Sequence, residues 1–140
     1  MAQGVIDYSG KGNYSVGDLL EIVQKLRKEC PWDREQTHLS IRSNMLEEAS
    51  EAVEAIDLND DALLCEELGD VLLQVVFHAT LATERGAFSF ADITNAVCNK
   101  LIVRHPHVFA GLEVNGIEEV LANWEAIKRQ TKAEVANREE

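Results

Sequence analysis

One stretch of the chain constrains its fold more than any other. From Leu63 to Leu81 the residues read as a helix that is apolar almost all round: Leu63, Leu64, Leu68, Val71, Leu72, Leu73, Val75, Val76, Phe77, Ala79 and Leu81. A helix apolar on every side is buried on every side. A chain of 140 residues has few neighbouring elements to supply that cover, so the stretch predicts a second copy of the chain, at least a homodimer. The same stretch carries Asp70, an ionisable group that an apolar setting makes expensive unless something positive meets it.

The flanking segments predict an all-α chain. Residues 1–14 hold three glycines and no periodicity, which predicts a loose leader before a helical domain over 15–135. Ser15 with Asp18 forms a capping box for a first helix lined by Val16, Leu19, Leu20, Val23 and Leu26. Pro31 cannot extend that helix, so Cys30–Gln36 is expected to be a loop. A second helix is expected over 37–57 and a third over 61–85, stopped by Gly86 and joined to the second by the polar turn Leu58-Asn59-Asp60. Ser89 with Asp92 opens a fourth helix, closed by Pro106. Asn115 with Glu118 opens a fifth, and the polar tail at 136–140 is expected to fray. There is no strand pattern and no repeat, so the expected architecture is an antiparallel helical bundle completed by dimerisation.

The second and third helices carry the chemistry. Residues three apart face the same way on a helix, so Glu48 projects with Glu51, and Glu67 with Asp70. The short turn makes the helices antiparallel neighbours, with Glu51 level with Glu67 and Glu48 level with Asp70. Four carboxylates therefore converge. No Lys or Arg lies within a turn of Glu67 or Asp70 on their helix, and four such groups repel one another. Hard oxygen donors favour magnesium, or manganese, over softer metals. Glu47, Glu54 and Glu66 are expected on solvated faces. A di-iron bundle needs a Glu-x-x-His pair from each of two helices. Within these two helices no His follows a Glu by three residues, and His78 lies eight after Asp70.

A net charge of −12 argues against general nucleic-acid binding, since the phosphate backbone would be repelled. Against that background Lys100, Arg104, His105 and His107 form a basic segment. Lys100 and Arg104 share a helix face that either clamps phosphate oxygens or compensates the helix dipole. Trp32, in the expected loop, either stacks on a base or plugs the end of the bundle. Gln74, one turn past Asp70, either orders a water or makes a polar contact inside the bundle. Cys30, Cys65 and Cys98 form no C-x-x-C pair, which fits reduced thiols in a cytoplasmic protein. No segment reads as a membrane span or a secretory signal.

Cys30-Pro31-Trp32-Asp33, Glu35-Gln36-Thr37, Leu46-Glu47-Glu48-Ala49-Ser50-Glu51, Glu67-Leu68-Gly69-Asp70 and Arg104-His105-Pro106-His107-Val108-Phe109 occur in that order. This series resembles the MazG family of nucleoside triphosphate pyrophosphohydrolases over roughly residues 16–130. The resemblance implies an all-α fold in which dimers build the active sites, often as dimers of dimers. It implies Mg2+ on Glu48, Glu51, Glu67 and Asp70, and substrate contacts from Lys100, Arg104, His105 and Trp32. Family members often carry a second basic residue just before the R-H-P-H run, where this chain has Val103. Many relatives carry two such domains in tandem, where this chain has one.

The expected reaction is hydrolysis of (deoxy)nucleoside triphosphates to monophosphate and pyrophosphate, with Glu48 or Glu47 as general base. The rivals are a specialised dUTP/dCTP pyrophosphatase and a non-catalytic helical module that binds nucleotide or protein.

Overall fold

In the computed structural model, which describes residues 4–139 and the side chains of residues 4–132, the Ser15 hydroxyl accepts from the Asp18 amide and the Asp18 carboxylate accepts from the Ser15 amide. This reciprocal cap opens α1 (Val16–Glu29). Six further helices follow: α2 (Pro31–Arg34), α3 (His38–Asp57), α4 (Asp61–Glu84), α5 (Phe90–Arg104), α6 (Pro106–Phe109) and α7 (Ile117–Glu139). No strand occurs among the described residues. The expected tail at 136–140 falls where side chains lie outside the described residues, Glu140 wholly so.

Several local signals act differently from expectation. The Cys30–Gln36 loop holds a full helical turn, α2, started by Pro31 at its first position, where a missing N–H costs nothing. Pro106 both follows the end of α5 and starts α6 for the same reason. Before α7 the Asn115 amide donates to Glu119 at 2.7 Å rather than pairing with Glu118.

The turn between α3 and α4 is tightly specified. Asn59 takes φ 54°, and the amides of Asn59 and Asp60 donate back to Ile56 and Ala55. This closes α3 in a Schellman motif, with asparagine in the left-handed position. Asp60 then caps α4 by accepting from the Leu63 amide. At the far end of α4 Gly86, with φ 72°, repeats the motif: its amide donates to Thr83 and that of Ala87 to Ala82.

The chain divides into two compact units, residues 1–90 and 91–140. In the first, α1 and α3 pack on α4. Its core is Val23, Ile41, Val76, Phe77 and Leu81, with Leu19, Leu20, Leu73 and Phe90 against it. The all-round burial expected of the third helix holds in the single chain only for its C-terminal half. The buried residues of α4 run from Gln74 to Ala82, whereas Leu68 and Leu72 are exposed. In the second unit Arg104 is buried and lies against Trp124 of α7.

Candidate metal centre

The hairpin of α3 and α4 sets two pairs of carboxylates facing each other. One oxygen from each of Glu48, Glu51, Glu67 and Asp70 can be chosen so that all lie within 4.8 Å of one another, and all four residues are half-buried. Oε2 of Glu48 and Oε2 of Glu67 are shut off from solvent with no hydrogen-bond partner. The salt bridges Lys25–Glu29 and Arg27–Glu84 leave the cluster without a cation of its own among the described residues. Glu47, Glu54 and Glu66 are exposed, as expected of solvated positions.

The electrostatic cost appears in the carboxyl groups. Glu67 is pushed up to about 7, first by burial, then by its hydrogen-bonding approach to Glu51 and the charges of Glu51, Asp70 and Glu48. Glu48 is raised too, by burial first and then by Glu51. Orphaned acidic oxygens with no cation suit a hard divalent ion, and Glu48, Glu51, Glu67 and Asp70 can hold one.

A pH dependence follows. Folded Glu67 keeps its proton to about 7, while the ordinary value for the unfolded chain is 4.5. The folded state therefore binds more protons between these values. Its stability falls as pH rises through that window. Thermal melts of metal-free protein should show this fall, saturating magnesium should abolish it, and Glu67→Gln should flatten it. A profile indifferent to both would contradict the shared charge. His78 acts in the opposite sense, because burial and then His38 hold it below 6.5, so its contribution is lost as pH falls.

Beyond Asp70 the polar line on α4 continues through Gln74 and His78. Gln74 is buried with Oε1 unpartnered. His78 and His38 approach Nδ1 to Nδ1 at 2.7 Å, and Arg85 Nε donates to His38 Nε2 at 3.4 Å. That donation puts the proton of neutral His38 on Nδ1, facing His78, and leaves the proton of His78 on its buried, unpartnered Nε2.

Trp32 is 59% exposed and does not plug the bundle. Lys100 is exposed on α5, whereas Arg104, one turn on, is buried with its guanidinium 5.5 Å from the Trp124 ring centre. Lys128 Nζ lies 4.7 Å from the same centre, and Arg104 Nη2 reaches Thr131 Oγ1 at 3.4 Å. Arg104 Nε has no partner among the described residues. His105 Nδ1 bonds the Leu101 carbonyl, and the His105 and His107 rings lie 5.5 Å apart. Trp124 and Lys128 thus join Arg104, and neither was among the candidate residues named from the sequence. The Trp-x-x-x-Lys spacing on one helix face was the available signal.

Residues 36–109 match the family described as the MazG nucleotide pyrophosphohydrolase domain. The chain is 49% identical over 117 residues to a nucleoside triphosphate pyrophosphohydrolase/pyrophosphatase MazG of Thermotoga maritima, covering 82% of this chain and 44% of the relative. It is 49% identical over 121 residues to a nucleoside triphosphate pyrophosphohydrolase of Escherichia coli K12, covering 84% and 46%. The chain therefore spans less than half the length of these two relatives. Among solved structures, a mazG-related protein from Thermotoga maritima superposes with a TM-score of 0.68 at 28% identity, covering 79% of this chain and 96% of that one.

Proposed function

Because this chain belongs to the MazG nucleotide pyrophosphohydrolase family, we propose that it hydrolyses nucleoside triphosphates, releasing pyrophosphate and leaving the monophosphate. The observation that carries this reading is the meeting of Glu48, Glu51, Glu67 and Asp70, with two buried oxygens that lack any donor. These four residues would hold magnesium, or manganese. When bound, the ion supplies charge neutralisation at the phosphates and acidifies a nearby water.

The chain's own groups do the rest. Water attacks the α-phosphorus, the bond to the bridging α–β oxygen breaks, and pyrophosphate leaves. Glu48, or the exposed Glu47 beside it, takes the proton of the attacking water. Lys100, Arg104 and His105 bind the triphosphate, with Lys128 added by its place beside Arg104 over Trp124. Trp32 offers its exposed ring to the base. The exposed Leu39, Leu46 and Val53 recur every seventh residue on α3, a stripe suited to a second copy of the chain in a dimer or dimer of dimers. The acidic balance disfavours nucleic acid as a partner, and no helix of the described residues is long and apolar enough to cross a membrane.

The test is to incubate the chain with each common and deoxy triphosphate, with and without magnesium, and to identify the products. Pyrophosphate plus monophosphate, only with metal, is the expected result. Orthophosphate plus diphosphate would defeat the reading. Nucleotide binding with no product at all would favour the non-catalytic module instead. The same panel compares dUTP and dCTP with the rest. In that assay Arg104→Gln should lower kcat/KM by about a hundredfold or more, as loss of a buried charged contact does. Unchanged kinetics would remove Arg104 from the site.

A further inference from the structure

The turn that carries Trp32 is held by one side chain. Arg27, in the last turn of α1, donates from Nη1 to the carbonyl oxygens of Asp33, Arg34 and Gln36 at 2.6, 2.8 and 3.1 Å. Its Nε–Nη2 edge donates side-on to Glu84 on α4, Nε to Oε2 at 2.8 Å and Nη2 to Oε1 at 3.0 Å. The Arg27 side chain is 16% exposed. A single guanidinium therefore joins α1, the end of α4 and the backbone of the C-P-W-D turn. Only a planar fork can do this, because a lysine ammonium cannot face both directions at once.

The bonds fall where the turn is weakest. A helix of one turn cannot satisfy its own last carbonyls, and α2 ends at Arg34. Arg27 supplies those carbonyls with a cation. Gln36 completes the clasp, with its Nε2 donating to the Trp32 carbonyl at 2.8 Å and its Oε1 accepting from Ser40 at 2.8 Å. The backbone from Trp32 to Gln36 is thus held by side chains, while Trp32 itself is exposed. An exposed Trp on a braced backbone contributes nothing to the core.

We propose that the Arg27–Glu84 pair is a positioning device that fixes the Trp32 ring for stacking on the nucleobase of the substrate. This rests on the reading of Trp32 as the base contact. The pair itself touches no substrate. A rigid ring presents its face without first losing backbone freedom, so base affinity depends on the brace. The surface ion pair alone would be worth little; its value lies in what it holds still.

The experiment uses the full chain with magnesium, the Arg27→Gln and Glu84→Gln variants, a nucleoside triphosphate, and inorganic tripolyphosphate as a competitor without a base. Loss of ordered stacking should raise the nucleotide KM about tenfold. It should leave kcat within about twofold and the tripolyphosphate inhibition constant unchanged. In protein labelled with 5-fluorotryptophan the two tryptophans report separately: the Trp32 resonance should shift or broaden in both variants and that of Trp124 should stay. Equal weakening of nucleotide and tripolyphosphate would overturn the proposal, because the pair would then serve the fold as a whole. If Trp32→Ala raises KM and neither brace variant does, the brace is refuted while Trp32 stands. If Trp32→Ala itself leaves KM unchanged, the base-contact reading fails and takes the brace with it. Should Arg27→Gln not fold, Glu84→Gln, which keeps an acceptor on a half-exposed residue, decides alone. A chain that binds without turnover is read by nucleotide dissociation constants from the same resonances.

Discussion

Asp70→Asn or Glu51→Gln is expected to reduce pyrophosphate release at least about a thousandfold while leaving the helical fold intact, since the metal-dependent stabilisation of several kcal/mol is lost with a ligand. Each substitution keeps the side chain's shape and removes its charge. The cluster brings one oxygen from each of four carboxylates within 4.8 Å, without a cation of its own among the described residues, so removing one charge relieves repulsion. The variants should therefore melt at a higher temperature than wild type without metal, and at a lower temperature than wild type with saturating magnesium. Circular dichroism melts with and without the ion read both arms. Retained turnover, or a variant destabilised in both conditions, would show that these acids hold the fold rather than a cation.

Phe77→Ala should cost ~3–5 kcal/mol, a large share of the ~5–15 kcal/mol that holds a domain together. Phe77 is 6% exposed and packs with Val23, Ile41, Val76 and Leu81 where α1, α3 and α4 meet. Urea unfolding in the presence of magnesium should show a lower midpoint with an unchanged slope. Leu68→Ala is the contrasting case on the same helix. Leu68 is 52% exposed in the single chain, so its loss should stay within about 0.5 kcal/mol. If a second copy covers it, the loss grows and depends on protein concentration.

The parts of this molecule that were legible in the sequence are those set by near neighbours along the chain. Ser15 and Asp18 cap α1 as a box because both partners lie within one turn. Glu48, Glu51, Glu67 and Asp70 could be brought together on paper because helical spacing and a three-residue turn determine their heights. What resisted reading depends on distant partners or on ambiguous signals. Proline ends one helix and begins another with the same fixed φ, so α2 and α6 were hidden behind Pro31 and Pro106. From the residues alone Trp32 looked better suited to plugging the bundle, and its exposure decides otherwise. Arg104 meets Trp124 twenty positions later, and Arg27 meets Glu84 across fifty-seven residues. No periodicity announces either contact. The apolar run of α4 spoke for its whole length, yet Leu68 and Leu72 lie exposed in the single chain, because burial depends on which neighbours a helix has and not on its own composition.

The hairpin between Glu48 and Asp70 has a kinetic corollary. Its donors are separated by little chain, so closing the loop between them costs little entropy, and contacts of this kind form early. The two end motifs at Asn59 and Asp60 shorten the search further. The mutual repulsion of the acids is consequently met near the start of folding, before the long-range core that α1 adds. A divalent cation held by these acids at that moment would favour the closed hairpin, and the order in which ion and core arrive would then shape how the molecule reaches its native state.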